Sequence, residues 1–183
     1  MQYINNIPIL LILISLVFYI IVKLIYIRVL IKKLVLRQEI IILLLITYME
    51  CLLYLTLYPT SADIPNNVSV NLVPFKTIHL YIKFEGNIML QIINLLGNVV
   101  VFIPIGLFAL SLMRRVTLLI IFIIGLGSTL FIEFMQLILS ITGIISRSFD
   151  VDDLILNTLG VLIGYIIGVI GKKLTLLKAA TVR

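Results

Sequence analysis

The sequence predicts an all-α, polytopic integral membrane protein of about five transmembrane helices, N-terminus out and C-terminus in, with one long outer loop containing an interfacial or re-entrant segment. Three observations carry this. First, 62% of the 183 residues are hydrophobic and 12% are charged, and the mean hydropathy is +1.29, whereas about a quarter of a soluble domain is charged. Second, five apolar runs approach the roughly 20 residues that a helix needs to cross a core of about 30 Å. Third, the Lys and Arg residues collect at alternate ends of those runs. No length remains for a separate soluble domain. The chain divides into an N-terminal helix with a basic turn (1–37), a membrane domain (38–171) and a basic tail (172–183).

The net charge of +6 does not indicate a nucleic-acid partner, because the basic residues sit at helix ends instead of forming a groove-like patch interleaved with aromatics. Cys51 is the single cysteine, so no intrachain disulfide and no thiol metal site can form, and it reads as a buried packing residue. His79 is the single histidine. A catalytic triad or a two-histidine metal site would have to be built around it alone. No cofactor is required by the sequence, and no metal site is assigned.

The first run, about Ile7 to Ile27, has neither a basic lead nor a small-residue cleavage pattern and reads as a retained helix, not a signal peptide. Lys23, Arg28, Lys32, Lys33 and Arg37 follow and place its far end inside. The second run, about Ile40 to Leu57, returns outward with Glu50 and stops at Tyr58-Pro59. The loop from Thr60 to about Ile88 holds Val73 to Phe84, too short to span and too apolar to float free, so an interfacial helix or shallow re-entrant element is expected. Asn67-Val68-Ser69 matches a glycosylation acceptor but has no support from the rest of the sequence.

The third run, about Met89 to Met113, carries Asn94, Gly97 and Asn98 on one face and a kink is expected at Pro104. Arg114 and Arg115 turn it inside. The fourth, about Val116 to Ile138, carries Thr129, Glu133, Gln136 and Ser140 along one stripe. The fifth, about Val151 to Ile170, passes from Asp153 and Asn157 into Gly160, Gly164 and Gly168, a spacing that lets helix backbones approach closely. Lys172, Lys173, Lys178 and Arg183 close the chain inside. Of the 14 Lys and Arg residues, eleven are then inside, and Lys76, Lys83 and Arg147 are outside.

This orientation puts Glu50, Asn94, Asn98, Glu133, Gln136 and Asn157 in the outer halves of four helices, beside Asp150, Asp152 and Asp153. A polar pocket opening outward is the simplest arrangement. Ionisable residues within a span cost roughly 2.5–3.5 kcal/mol on insertion scales and normally face a protein interior or a wet cavity. Two readings stand for the aspartates: a helix cap with Asp150 at the N-cap, or a functional carboxylate site. Asn94, Asn98 and Gln136 serve either as interhelical hydrogen-bonding groups or as ligand contacts. A buried Glu133 must be protonated or paired, and Arg147 is its natural partner, or that of an aspartate.

Four stretches in order, Asn71–Ile78 (NLVPFKTI), Asn94–Gly106 (NLLGNVVVFIPIG), Ile132–Gln136 (IEFMQ) and Arg147–Gly164 (RSFDVDDLILNTLGVLIG), resemble the VanZ family, named for a membrane protein associated with resistance to the glycopeptide teicoplanin. The similarity runs from about Ile40 to Gly171. The family pattern maps onto Asn94, Gly97, Asn98, Phe102, Pro104, Gly106, Glu133, Gln136, Arg147, Asp150, Asp153, Asn157 and Gly160. The resemblance implies a multi-pass plasma-membrane protein of the cell envelope linked to glycopeptide resistance. Its expected partner is a membrane lipid or lipid-linked wall precursor, bound or presented through Asn94, Asn98, Glu133, Gln136, Arg147, Asp150, Asp153 and Asn157. The alternative is an intramembrane enzyme acting on a lipid head group, with Glu133, Asp150, Asp153 and Arg147 as catalytic candidates and aspartates as ligands for a hard divalent cation. A lipid transporter is a third class, disfavoured by the lack of an inverted repeat.

Overall fold

The computed structural model describes residues 9–30, 35–57, 69–84, 86 and 88–181. Lys32, Lys33, Pro59 and Arg183, Asn67 and Val68 of the glycosylation-like acceptor, and the first part of the long loop, 60–68, lie outside these residues. The protein is all-α and polytopic: five helices have the length and composition to cross a membrane, Ile9–Arg28, Leu36–Leu57, Gln91–Leu112, Leu118–Ile141 and Val151–Thr175. The chain forms two units, Met1–Tyr58 and Pro59–Arg183. The second helix thus groups with the first.

In the N-terminal unit, α1 (Ile9–Leu30) and α2 (Leu36–Leu57) are apolar along most of their length. A polar staple joins them near the turn: Lys23 Nζ lies 2.8 Å from Glu39 Oε1, and the Tyr19 hydroxyl donates to Glu39 Oε2 at 2.6 Å. Glu50 stands on α2 in this unit.

The C-terminal unit contains β1 (Val70–Asn71), the short helix α3 (Lys76–Lys83), α4 (Ile88–Leu112), α5 (Leu118–Ile141), β2 (Phe149–Asp150) and α6 (Val151–Thr181). Helix α4 continues through Pro104, which has no N–H to offer the Val100 carbonyl. Thr117 caps α5, its hydroxyl accepting from the Ile120 N–H at 3.3 Å.

The closest packing is between α4 and α6. A Cβ added at Gly160 would run into the Val99 carbonyl, one at Gly164 into the Ile103 carbonyl, and one at Gly106 into the Val161 carbonyl. The contacts advance in step along both helices, so α4 and α6 run parallel, and α5 returns antiparallel between them in the chain. A Cβ at Gly125 on α5 would lie 3.2 Å from Val161 Cβ. The core so formed includes Phe102, Ile121, Ile132 and Val161. Large apolar residues such as Ile92, Leu96, Phe131, Phe134, Ile166 and Ile170 remain exposed, as a lipid-facing surface requires.

Candidate functional site

The site is assembled where the N-terminal ends of α4 and α6 meet the C-terminal end of α5. Two short extended segments bring the intervening loops together. β1 and β2 pair in parallel, Val70 with Phe149 and Asn71 with Asp150, and the Phe149 N–H donates to the Ser69 carbonyl at 3.2 Å. This pairing sets α3 beside the first turn of α6.

Three neighbouring aspartates then do three different things. Asp150 precedes α6 and caps it, its Oδ1 accepting from the Asp152 N–H at 2.9 Å. The same carboxylate accepts from the Asn71 amide at 2.9 Å and the Thr77 hydroxyl at 2.6 Å. Asp152, 0% exposed, caps the other helix: its oxygens accept from the backbone N–H groups of Phe75 at 2.5 Å, Thr77 at 2.7 Å and Ile78 at 3.1 Å. Asp153 accepts through Oδ1 from the Asn98 amide on α4. Cap and site are therefore not alternatives for this segment, because successive helical positions point about 100° apart.

The buried stripe of α5 supports this arrangement from below. Glu133, 2% exposed, accepts the Asp150 N–H at 3.0 Å, and Thr129 accepts from the Asn157 amide at 3.0 Å. The Ser140 hydroxyl donates to the Arg147 carbonyl at 2.7 Å and accepts from the Arg147 N–H at 3.1 Å, closing the α5–β2 connection over the helix ends. Gln136 is buried as well.

Between α3, α4, α6 and the loop before β2 lies a polar cleft of about 210 Å3, lined among others by Thr77, Tyr81, Asn94, Asn98, Gln136, Arg147, Asp150, Asp152 and Asp153. Of the residues expected from sequence, Asn94, Asn98, Gln136, Arg147, Asp150 and Asp153 reach this lining. Glu133 and Asn157 do not. They support the carboxylate segment and the α5–α6 contact instead. The ion pair expected for Arg147 is not formed: among the described residues the salt bridge within 4.0 Å is Lys23–Glu39. Matching charge signs did not fix the distance, because Ser140 holds the Arg147 backbone and Glu133 is engaged by a backbone amide.

Sequence reasoning missed Asn71 and Thr77 as partners of Asp150, and Asp152 as a distant cap. The one available signal was their presence in the stretches that carried the resemblance. Among the described residues, no group of three His, Cys, Asp or Glu side chains is placed to hold a metal ion. A model of the VanZ/LLP1 family matches residues 45–172, from within α2 to the far half of α6. No curated protein matches the chain, and no solved structure matches it.

Proposed function

The chain belongs to the VanZ/LLP1 family, and from that premise we propose that it is a plasma-membrane protein whose cleft binds the polar head of an envelope lipid or lipid-linked wall component. By altering the presentation of that component it would change how the cell withstands glycopeptides such as teicoplanin, which act on lipid-linked precursors outside the membrane. One observation carries the reading. Arg147 lines a polar cleft, and its side chain makes no hydrogen bond or ion pair among the described residues, the bonds of the residue being those of its backbone to Ser140. A cation left open among lipid-facing helices is suited to an anionic head group. Binding is favoured over catalysis because Glu133 and Asp150 are occupied in holding backbone, amide and hydroxyl groups, which leaves Asp153, with one oxygen on Asn98, as the single catalytic carboxylate candidate in the cleft without a second to work with.

The test is mass spectrometry of lipids that co-purify with the full chain in mild detergent. The expected result is a lipid enriched over the bulk membrane on the wild type and depleted about tenfold on Arg147→Gln, the scale of one charge-assisted hydrogen bond. Identical lipid profiles for the two proteins would overturn the reading.

The reading also requires the cleft to face outward, as the distribution of Lys and Arg supports. In a Cys51→Ser background, a cysteine at Ser69 is expected to react with an impermeant maleimide in intact cells, and one at Lys173 is expected not to react. Labelling at Lys173 would reverse the orientation.

A further inference from the structure

What kind of head group the cleft takes follows from its size and its charges, and this step rests on the lipid-binding reading above. A volume of about 210 Å3 holds on the order of seven waters at about 30 Å3 each. That admits a compact head group. The lining carries three aspartates, one arginine and no lysine, so a purely anionic head would meet one cation and three carboxylates.

The carboxylates are not equivalent. Asp152 holds the amides of α3 through both oxygens, and both oxygens of Asp150 are engaged by Asn71, Thr77 and its own helix. Asp153 is different: Oδ1 accepts from Asn98, while Oδ2 has no hydrogen-bond partner among the described residues. The cleft thus presents one open cation, Arg147, and one half-open anion, Asp153. No contact within 4.0 Å joins the two. Opposite charges lining one small cleft without touching each other suit a ligand that bears both signs. A neutral head would leave both unmet, and desolvating either without a partner is costly.

We infer that the cleft takes a zwitterionic lipid head in which a phosphate and a primary ammonium are joined by a short chain, the phosphate meeting Arg147 and the ammonium meeting Asp153. The Asn94 amide, in the same lining, adds a donor for phosphate, and Tyr81 adds an aromatic ring of the type that attracts ammonium groups. A primary ammonium donates hydrogen bonds to the free carboxylate oxygen; a trimethylated one cannot.

The experiment uses the full chain in detergent and measures binding of four short-chain probes: phosphatidylethanolamine, phosphatidylcholine, phosphatidylglycerol and diacylglycerol. Phosphatidylethanolamine is expected to bind about tenfold or more tightly than each of the others, the scale of one charge-assisted hydrogen bond. Asp153→Asn, which retains an oxygen for Asn98, is expected to abolish the preference for ethanolamine over glycerol. Arg147→Gln is expected to weaken all three phosphate probes, and Arg147→Lys to restore part of the loss. If phosphatidylglycerol binds as well as phosphatidylethanolamine, or Asp153→Asn leaves the preference intact, the zwitterionic assignment fails and lipid binding stands. If none of the four binds, the zwitterionic assignment fails, and the co-purifying lipids alone decide the lipid-binding reading.

Discussion

Replacing Asp152 with alanine is expected to release α3 from the cleft while leaving the long helices in place. Helix α3 has no side-chain cap of its own. Its N-cap residue is Phe75, held at φ 65° in the left-handed region, a conformation that costs a residue with a Cβ roughly 1–2 kcal/mol. The first-turn amides are satisfied from α6, by the two oxygens of Asp152 on the N–H groups of Phe75, Thr77 and Ile78. The negative charge also sits where the helix dipole favours it. No residue of α3 is fully buried, so apolar packing contributes little in compensation. Bonds from charged acceptors contribute about 1.5–3 kcal/mol each. Losing three, with water recovering part, should open the segment by about 3 kcal/mol. Amide exchange at Phe75, Thr77 and Ile78 should then accelerate about a hundredfold, since about 1.4 kcal/mol is a factor of ten. Asp152→Asn should fall between, because it keeps one acceptor oxygen. Exchange in α4, α5 and α6 should be unchanged, since Asp150 still caps α6. Wild-type protection of the three amides in Asp152→Ala would mean that α3 is held by something other than this carboxylate.

The Asp152 contact also marks where sequence reasoning stopped. The five spans were legible because each sums the same apolar signal over about 20 residues, and small local errors cancel. The α6 start was legible because Asp150 carries a local cap signal, and the seam because Gly160, Gly164 and Gly168 repeat at helical spacing. Each of these is a property of one segment. Asp152 and Thr77 lie 75 positions apart, and the strands that bring them together are two residues each, too short to show alternation. A carboxylate placed one residue either side would look the same in sequence and meet a different partner. Arg147 illustrates the same limit from the other side: its charge was legible, but whether it is paired depends on how Ser140 holds the turn before β2.

The seam, unlike the cleft, was visible on one helix, and its partner gives the second prediction. Gly164→Leu is expected to abolish most of the folded protein. A Cβ at this position falls onto the carbonyl oxygen and carbon of Ile103, which are backbone atoms and cannot move aside as a side-chain end can. Helices α4 and α6 must therefore separate. Apolar side chains gain little by leaving lipid for each other, so close backbone approach and packing hold such a pair together. Separation would loosen the contacts around Phe102 and Val161, at 2% and 0% exposure. Overpacking of cores costs typically 1–3 kcal/mol, and a clash with backbone at the centre of the tightest helix pair should reach about 3 kcal/mol. The Asn98–Asp153 bond joins the same two helices, so the cleft should be lost with the packing. Gly168→Ala should be milder, because its new methyl would meet the terminal carbons of Leu110 and Leu107, which can rotate away. Gly97→Ala and Gly127→Ala, where nothing lies within 4 Å, should be neutral or slightly stabilising through helix propensity. Yield and melting temperature in detergent read all four. If Gly164→Leu melts like the wild type while Gly97→Ala does not, the α6 glycines do not face α4, and the parallel pairing that places Asp153 against Asn98 is wrong with them.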